Sequence, residues 1–329
     1  MTAVRRIKLG YNNVYALDTE GGNVLIDAGP DYAGAEGVLI ADTPVAVVVT
    51  HGHLDHAGLG RWWQKRGASV SLGRGDEHLA STAQFGESAE LEDFVSYVPQ
   101  IGTPPDVAQG IIRGLEERRE WAQAAARELA VHGAATPGGR WPTQLRFRHF
   151  VPDRLLGDGD LIAGSGLKVL ACPGHTPGNL VLVHEVEGWL FSGDQLLPEI
   201  TPTAGIQRRR APHGDGEWRY RSLPRFLDSM VRLSTMHFSY CWPGHGEPFA
   251  CVAETISENI AQIEQRSARM LELVTAGGSS SVYALAERTY PRALRRRFWQ
   301  IISTVQGHLD ILEERGLVRH TDGAYERSP

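Results

Sequence analysis

The chain is poor in the features that mark secreted and membrane proteins. Its cysteines are only Cys172, Cys241 and Cys251, an odd number without the spacing of paired ligands, so we expect no disulfide framework. No apolar run is long enough to span a bilayer, and the most apolar short run, Val45–Val49, has the length of a buried strand. The N-terminal sequence MTAVRRIKLGYNN has two arginines but no apolar stretch after them, so we expect neither a signal peptide nor an anchor. These absences favour a soluble protein of the reducing cytoplasm.

The chain also has fewer basic than acidic residues. Lys and Arg number 33 against 39 Asp and Glu, and the formal net charge is -6. This balance provides no general attraction to nucleic acid or to an anionic membrane, so neither is a favoured partner. A chain of 329 residues favours one large domain and a smaller one.

Strand signals dominate the first 252 residues, interrupted by a helical stretch. The segment from 76 to 150 is rich in alanine and acidic residues and is predicted to be a helical insertion, or lid, in a strand-based domain that covers residues 1–252. A helix is predicted over Ala57–Arg66, with Gly67 as its C-terminal cap. The predicted strands are Asn13–Asp18, Asn23–Asp27, Val45–Thr50, Leu161–Ile162, Leu167–Ala171, Leu180–Glu185, Trp189–Phe191 and Phe238–Trp242.

The C-terminal residues 253–329 have a different composition. Helical patterns occupy Glu254–Val274, Ser281–Tyr290 and Arg295–Arg315, and Asp322-Gly323 is a hairpin-turn signal between two short segments. Three helices followed by a hairpin predict a winged-helix-like domain.

Candidate metal ligands are concentrated in the run THGHLDH at residues 50–56, at the end of a predicted buried strand. Imidazole and carboxylate are both ligands of borderline divalent cations. His51 and His53 are two residues apart, so in an extended chain they project to the same side. Asp55 and His56 follow where the chain turns into a helix and can face a second ion.

Three more ligand types occur at the ends of other predicted strands: His175, Asp194 and His245. Each lies beside a glycine, which permits the tight backbone conformations of a crowded cluster. Five histidines and two aspartates converging from four strand ends suit two metal ions bridged by Asp194. Zinc is the metal we expect first, and manganese or iron can occupy similar nitrogen and oxygen ligands.

These residues resemble the signature of the metallo-β-lactamase-fold hydrolases, of the glyoxalase II-like and lactamase-like ribonuclease branches. The resemblance covers about residues 7 to 250 and is carried by the HxHxDH run and by the PGHTPG segment at 173–178. It implies an αββα sandwich with the metals at one edge, between two sheets. It also implies that one ion is bound by His51, His53 and His175, the second by Asp55, His56 and His245, with Asp194 bridging both. Asp55 and His56 are in addition assigned a catalytic role.

The C-terminal domain resembles the winged-helix appendage of some members of this family. The matching residues are Gly307–Leu312, followed by Gly316–Val318.

The resemblance implies a hydrolase that uses a metal-bridging hydroxide, because coordination lowers the pKa of water towards about 7. The substrate expected first is a thioester or ester of a small organic acid. The alternative is a ribonuclease or phosphodiesterase, for which Arg208-Arg209-Arg210 and the basic group at 292–297 could bind phosphates, unless Glu313 and Glu314 simply balance the latter. A DNA-binding metal sensor is a third, less favoured hypothesis.

Several other features are left open by the sequence. Phe85, Phe94, Tyr97 and Trp121 of the insertion either line an acyl pocket or form helix-packing core. A homodimer could form through the C-terminal domain or the insertion. Asp27 either orients the metal loop or caps a turn, and the same two roles are open for Thr176. Cys172 is interpreted as a buried structural residue.

Overall fold

The computed structural model describes residues 3–81, 88–117, 145, 148–202, 205–208 and 219–329. Its first sheet has six strands in the order β1-β2-β3-β4-β5-β6. The strands are β1 (Val4–Leu9), β2 (Asn12–Thr19), β3 (Gly22–Ile26), β4 (Ala46–Val49), β5 (Ser69–Gly73) and β6 (Arg154–Leu156). The first three form an antiparallel meander, and β3, β4, β5 and β6 are mutually parallel.

The second sheet has five strands in the order β13-β10-β9-β8-β7. Its antiparallel members are β7 (Leu161–Ile162), β8 (Leu167–Ala171), β9 (Leu180–His184) and β10 (Trp189–Gly193), and β13 (Tyr240–Pro243) joins β10 in parallel. A separate short hairpin, β11 (Gln207–Arg208) with β12 (Arg219–Tyr220), lies between β10 and β13 in the chain.

The two sheets pack face to face through an apolar layer that includes Tyr15, Val48 and Phe191. The outer face of the first sheet is covered by the short helices α1 (Ala35–Leu39), α2 (Leu54–Ala57) and α3 (Gly60–Lys65), where Trp63 is fully buried. The expected αββα sandwich is therefore confirmed, because helices also cover the second sheet.

Four further helices are described before the C-terminal region: α4 (Glu77–Ser81), α5 (Ser88–Gln100), α6 (105–117) and α7 (Ser222–Ser234). The C-terminal region contains α8 (Val252–Gly277), α9 (Val282–Thr289), α10 (Phe298–Glu314) and the hairpin of β14 (Val318–Thr321) and β15 (Ala324–Arg327). The outer face of the second sheet packs against α7 and α8, through side chains such as Phe226 and Ile256.

The predicted helix over Ala57–Arg66 is wrong at its start and is interrupted. Helix α2 begins at Leu54, before the predicted start, and α3 follows after Gly58 and Leu59. The chain approaches the loop at Asp31 closely at this point, because a Cβ on Gly58 would lie 2.6 Å from the backbone nitrogen of Asp31. Gly67, the residue after the C-cap residue Arg66, has a φ of +91°, the left-handed conformation with which helices commonly end.

One apolar core joins the insertion to the C-terminal helices. Tyr97 and Val98 of α5 pack in the same cluster as Leu309 of α10 and Tyr325 of β15. Phe94 makes an edge-to-face contact with Trp299, with ring centroids 5.1 Å apart. Phe94 and Tyr97 thus contribute to helix packing, whereas Phe85, Trp121 and most of the predicted segment after 117 lie outside the described residues.

The division into residues 1–252 and 253–329, the lid and the winged-helix assignment stay predictions. The predicted C-terminal helices and hairpin are present, but α8 and α10 also pack against α7. Among the residues that the structure describes, every helix is too short or too polar to cross a membrane.

Candidate metal centre

Four strand ends meet at one edge of the sandwich. His51 follows β4, His175 follows β8, Asp194 follows β10 and His245 follows β13. The remaining residues of the run at 51–56 lie at the start of α2, where His53 is the N-cap residue. Local sequence explains this placement, since each buried strand runs directly into a glycine-containing loop.

The first ligand group is formed by three imidazoles. The Nδ1 atom of His53 lies 3.0 Å from Nε2 of His51 and 3.1 Å from Nε2 of His175. Ligands on a tetrahedral zinc ion, with bonds of about 2.0–2.1 Å, are about 3.3 Å apart. The three ring nitrogens therefore converge as they would around one cation.

The second group consists of Asp55, His56 and His245. Nε2 of His245 lies 3.3 Å from Nε2 of His56 and 3.4 Å from Oδ2 of Asp55. The distance between His56 Nε2 and Asp55 Oδ2 is 3.7 Å. These spacings also surround a single point.

Asp194 lies between the two groups. Its Oδ1 is 3.4 Å from Nε2 of His56 and 3.3 Å from Nε2 of His245, and its Oδ2 is 3.5 Å from Nε2 of His175. Oδ1 is buried and accepts no hydrogen bond of good geometry from the described residues. A buried carboxylate oxygen without a well-formed hydrogen bond needs a counter-charge, and a divalent cation would supply one. The donor set therefore fits two divalent metal ions, and each predicted ligand residue lies at the centre.

The electrostatics of the first group favour neutral imidazoles. Burial and the neighbouring imidazoles, His56 foremost, hold the pKa of His51 well below its usual range. Burial, together with His175, lowers the pKa of His53 to about 3. A neutral ring keeps the lone pair that metal coordination requires.

The second group has a strongly negative field. Burial opposes ionisation of Asp55 and Asp194, but the neighbouring histidines outweigh it and lower the pKa of both carboxyls. Burial also opposes protonation of His56 and His245, but the carboxylates around them raise the pKa of His56 well above its usual range and that of His245 to about 10. This part of the site attracts positive charge.

Asp27 orients His56 from behind the centre. Its Oδ2 lies 2.8 Å from Nδ1 of His56, and its Oδ1 accepts hydrogen bonds of 2.8 Å from both the backbone nitrogen and the hydroxyl of Thr50. With Nδ1 bonded to a carboxylate, Nε2 is left to face the centre. Asp27 has a φ of +65°, a backbone conformation that is uncommon outside glycine. Of the two alternatives for Asp27, this contact supports orientation of the metal loop.

Sequence reasoning missed Asp76, which ties two ligand loops together. It accepts hydrogen bonds from the backbone nitrogens of Gly52 and Gly178 and from the hydroxyl of Thr176. Burial raises the pKa of this carboxyl to about 6, against the effect of these three donors. The signal was present, because Asp76 follows β5 and two glycines, the pattern used to find Asp194. It was overlooked because β5 itself was not predicted.

Asn12 and Asn13 at the start of β2 were also missed. Nδ2 of Asn12 donates to Oδ2 of Asp55 over 3.2 Å, and Nδ2 of Asn13 donates to the carbonyls of Pro243 and Gly246. The second contact holds the loop of His245, whose Nδ1 lies 3.0 Å from the carbonyl of Tyr11. Adjacent buried asparagines in a strand are the signal that could have found them.

Cys172 does not belong to the ligand groups of the described residues. It is fully buried, and burial raises the pKa of its thiol to about 12, which keeps it protonated. The interpretation of Cys172 as a structural residue agrees with this environment.

Comparisons with known proteins point to one family. The model of the Metallo-beta-lactamase superfamily matches residues 7–227. The chain is 24% identical over 313 residues to the probable metallo-hydrolase YqjP of Bacillus subtilis (strain 168), covering 91% of this chain and 87% of that protein. A beta-lactamase-like protein 2 homolog of Caenorhabditis elegans is 29% identical over 126 residues, or 38% of this chain and 35% of that protein.

Solved structures agree. A metallo-beta-lactamase family protein from Thermus thermophilus superposes with a TM-score of 0.70 at 25% identity, covering 99% of this chain and 98% of that one. A beta-lactamase domain protein from Burkholderia ambifaria, at 20% identity, has the same TM-score and covers 99% of this chain and 92% of its own, which shows the shared fold. The chain belongs to the metallo-beta-lactamase superfamily and is one of its metallo-hydrolases.

Proposed function

We propose that this protein is a dinuclear metal-dependent hydrolase that cleaves a thioester or ester of a small organic acid. The observation that supports the dinuclear site is Asp194, which has one carboxylate oxygen towards each ligand group. Two bound divalent cations, zinc first among them, would supply Lewis acidity and activation of water. We assign His51, His53 and His175 to one ion, and Asp55, His56 and His245 to the other.

The chain's own residues would then orient the metal ligands and transfer protons. Asp27 holds the ring of His56, and Asn12 holds the carboxylate of Asp55. The Asp55 side chain is 22% exposed, more than the 12% of Asp194, so it is the carboxylate that entering water reaches first. We therefore assign Asp55 the transfer of a proton between water and the leaving group, and His56 the fixed geometry of the second ion.

An acyl substrate agrees with the overall acidity of the chain and with the resemblance to the glyoxalase II-like branch. Tyr11 is 66% exposed, and its backbone carbonyl lies 3.0 Å from Nδ1 of His245, so the backbone of this residue borders the centre. Among the large apolar side chains that are exposed in the described part of the chain, it is the aromatic one.

A phosphodiester is the second candidate substrate, and one observation favours it. Arg292, Arg295, Arg296 and Arg297 are exposed and make no side-chain ion pair within the described residues. The acidic residues expected to balance them pair elsewhere, Glu313 with Arg221 and Glu314 with Arg225. Arg209 and Arg210 lie outside the described residues.

A substrate panel tests the proposal. Purified protein is assayed on acyl-coenzyme A, acyl-glutathione, a small ester and single-stranded RNA, before and after chelation. We expect thioester or ester turnover that is lost on chelation and in Asp55→Ala, and retained in the control Asp18→Asn, an exposed carboxyl of β2. RNA cleavage without acyl turnover would replace the acyl substrate with the second candidate. Specific binding to duplex DNA with no turnover would favour a regulator instead.

A further inference from the structure

A crevice between α8 and α10 has features of a second ligand site. It has a cavity volume of about 60 Å³, is partly open to solvent, and lies where α8 and α10 meet the segment Thr201-Pro202. None of the seven metal-centre residues lines it. Its walls include the charged and polar side chains of Arg266, His308, Ser303 and Thr304.

His308 presents one ring nitrogen to this crevice. The side chain is only 3% exposed, and its Nδ1 lies 2.9 Å from the hydroxyl of Ser267. Ser267 is 1% exposed, and its hydroxyl has this contact alone within the described part of the chain. A buried hydroxyl proton without an acceptor is costly, so Ser267 donates to Nδ1 and the ring proton is on Nε2.

That Nε2–H group makes no hydrogen bond to another described residue. Burial, with a smaller effect of Arg266, lowers the pKa of His308 to about 4, so the ring is neutral near pH 7. The crevice therefore receives a neutral N–H donor from a side chain that is otherwise buried.

Arg266 supplies a positive charge at the mouth. It is exposed, and none of the acidic side chains in the described ranges pairs with it. Its neighbours on α8 are paired, because Glu264 binds Arg315 and Arg269 binds Glu272. Arg266 is thus the unbalanced cation on this face of the described helix.

The remaining walls accept hydrogen bonds or are apolar. The hydroxyl of Ser303 donates to the carbonyl of Trp299, and that of Thr304 donates to the carbonyl of Gln300, so neither has a proton left for a ligand. Leu223 and Ile263 form the apolar part of the lining. A ligand that fits carries one negative group and a short hydrocarbon part.

We propose that this crevice binds a small organic carboxylate, with the carboxylate between Arg266 and Nε2 of His308 and the hydrocarbon against Leu223 and Ile263. One cation and one N–H donor match the two oxygens of a carboxylate, whereas a phosphate presents three or four oxygens. The crevice is also connected to the metal centre. The backbone nitrogen of Ile206 donates to Ser303, and the next residue, Gln207, donates to the carbonyl of His175.

Calorimetric titration of the full-length protein with butyrate tests this proposal and does not depend on hydrolytic activity. We expect Arg266→Gln and His308→Gln each to weaken butyrate binding about tenfold or more, since each removes a hydrogen bond to a charged group. Arg269→Gln is the matched control, an exposed arginine of the same helix, and should bind as the wild type does. Butylammonium should not bind.

Three outcomes would overturn the proposal. Butyrate binding that is lost in Asp55→Asn but unchanged in Arg266→Gln would locate the carboxylate at the metal centre. Inorganic phosphate that binds with the same dependence on Arg266, in a protein that ignores butyrate, would change the ligand class. No butyrate binding by the folded wild type would remove the site. Arg266 is exposed, so its variant is expected to fold even if His308→Gln does not.

Discussion

At the scale of single residues, the geometry of the centre depends on which ring nitrogen of His56 and His245 is hydrogen-bonded on the side away from the centre. His56 is bonded at Nδ1 by Asp27, and His245 is bonded at Nδ1 by the carbonyl of Tyr11. Both rings therefore direct Nε2 to the centre. The partners that fix these rings come from β2, β3 and their turns, a part of the chain that contributes no ligand itself.

Asp27→Asn should lower the affinity for the second metal ion about 10- to 100-fold, because an amide no longer fixes and polarises the His56 ring as a carboxylate does. The affinity of the first ion should change much less. Competition with a chromophoric chelator measures both affinities, and Asp18→Asn is the control. Unchanged affinity for both ions in the Asp27 variant would show that Asp27 does not act through His56.

At the scale of elements, α10 carries a buried titratable group that has no part in the metal centre. His308 faces Ser267 and Arg266 of α8. Arg266 lowers the pKa of His308, whereas Glu264 of the same helix raises it. Such a group makes the stability of the C-terminal helices depend on pH.

The contribution of His308 to the free energy of unfolding should fall as the pH drops from 6.5 towards 4. The pKa of His308 is lowered from 6.5 to about 4 by burial, so in this window the unfolded chain binds the proton and the folded chain does not. The loss from this residue should approach about 3 kcal/mol at the acidic end. Urea unfolding at several pH values measures it.

The matched comparison uses two glutamine variants. His308→Gln should remove this part of the pH dependence, whereas His237→Gln, at an exposed position, should keep it. Identical slopes in the wild type and the His308 variant would contradict the assignment.

At the scale of the whole molecule, a buried polar network joins the β11–β12 hairpin and the insertion to the C-terminal helices. Arg219 of β12 forms a two-pronged ion pair with Asp310 of α10, and both side chains are buried. Gln306 donates to Asp310 and to the hydroxyl of Tyr325, and accepts from Tyr97 of the insertion. The network links three regions that are far apart in the sequence.

Arg219→Met should destabilise the protein by about 3–5 kcal/mol, because it leaves the Asp310 carboxylate buried without its partner. The double variant Arg219→Met/Asp310→Leu should recover most of that loss, since replacing both partners removes the uncompensated charge. Thermal and urea unfolding measure the difference. A single variant as stable as the wild type would mean that the pair is not buried in solution.

Much of the centre was predictable because its signals are local. A buried strand, a glycine and a ligand side chain follow one another at His175, Asp194 and His245, and at His51 the glycine comes directly after the ligand. The carboxyl ends of these strands meet at one edge of the fold. The helix α7 also had a readable apolar spacing at Leu223, Phe226 and Met230, but it was not predicted. Pro224 lies in its first turn, where proline is tolerated.

Contacts between distant segments were not predictable from local pattern. The apolar spacing of α5 indicates which face is buried, but not that Tyr97 packs against α10 rather than over the metals. In the same way, nothing near Asp76 in the sequence indicates that Gly52 and Thr176 donate to it. Gly73 shows how close this packing is, because a Cβ there would lie 1.9 Å from the carbonyl oxygen of Gly178.

Anomalous diffraction from crystals grown with zinc, measured on both sides of the zinc absorption edge, tests the central claim most directly. The account predicts two peaks per chain about 3.5–4 Å apart, the spacing of two-metal sites. One peak should lie among His51, His53 and His175, the other among Asp55, His56 and His245, with Asp194 between them. A map with no peak at these residues, or with zinc bound elsewhere, would contradict it.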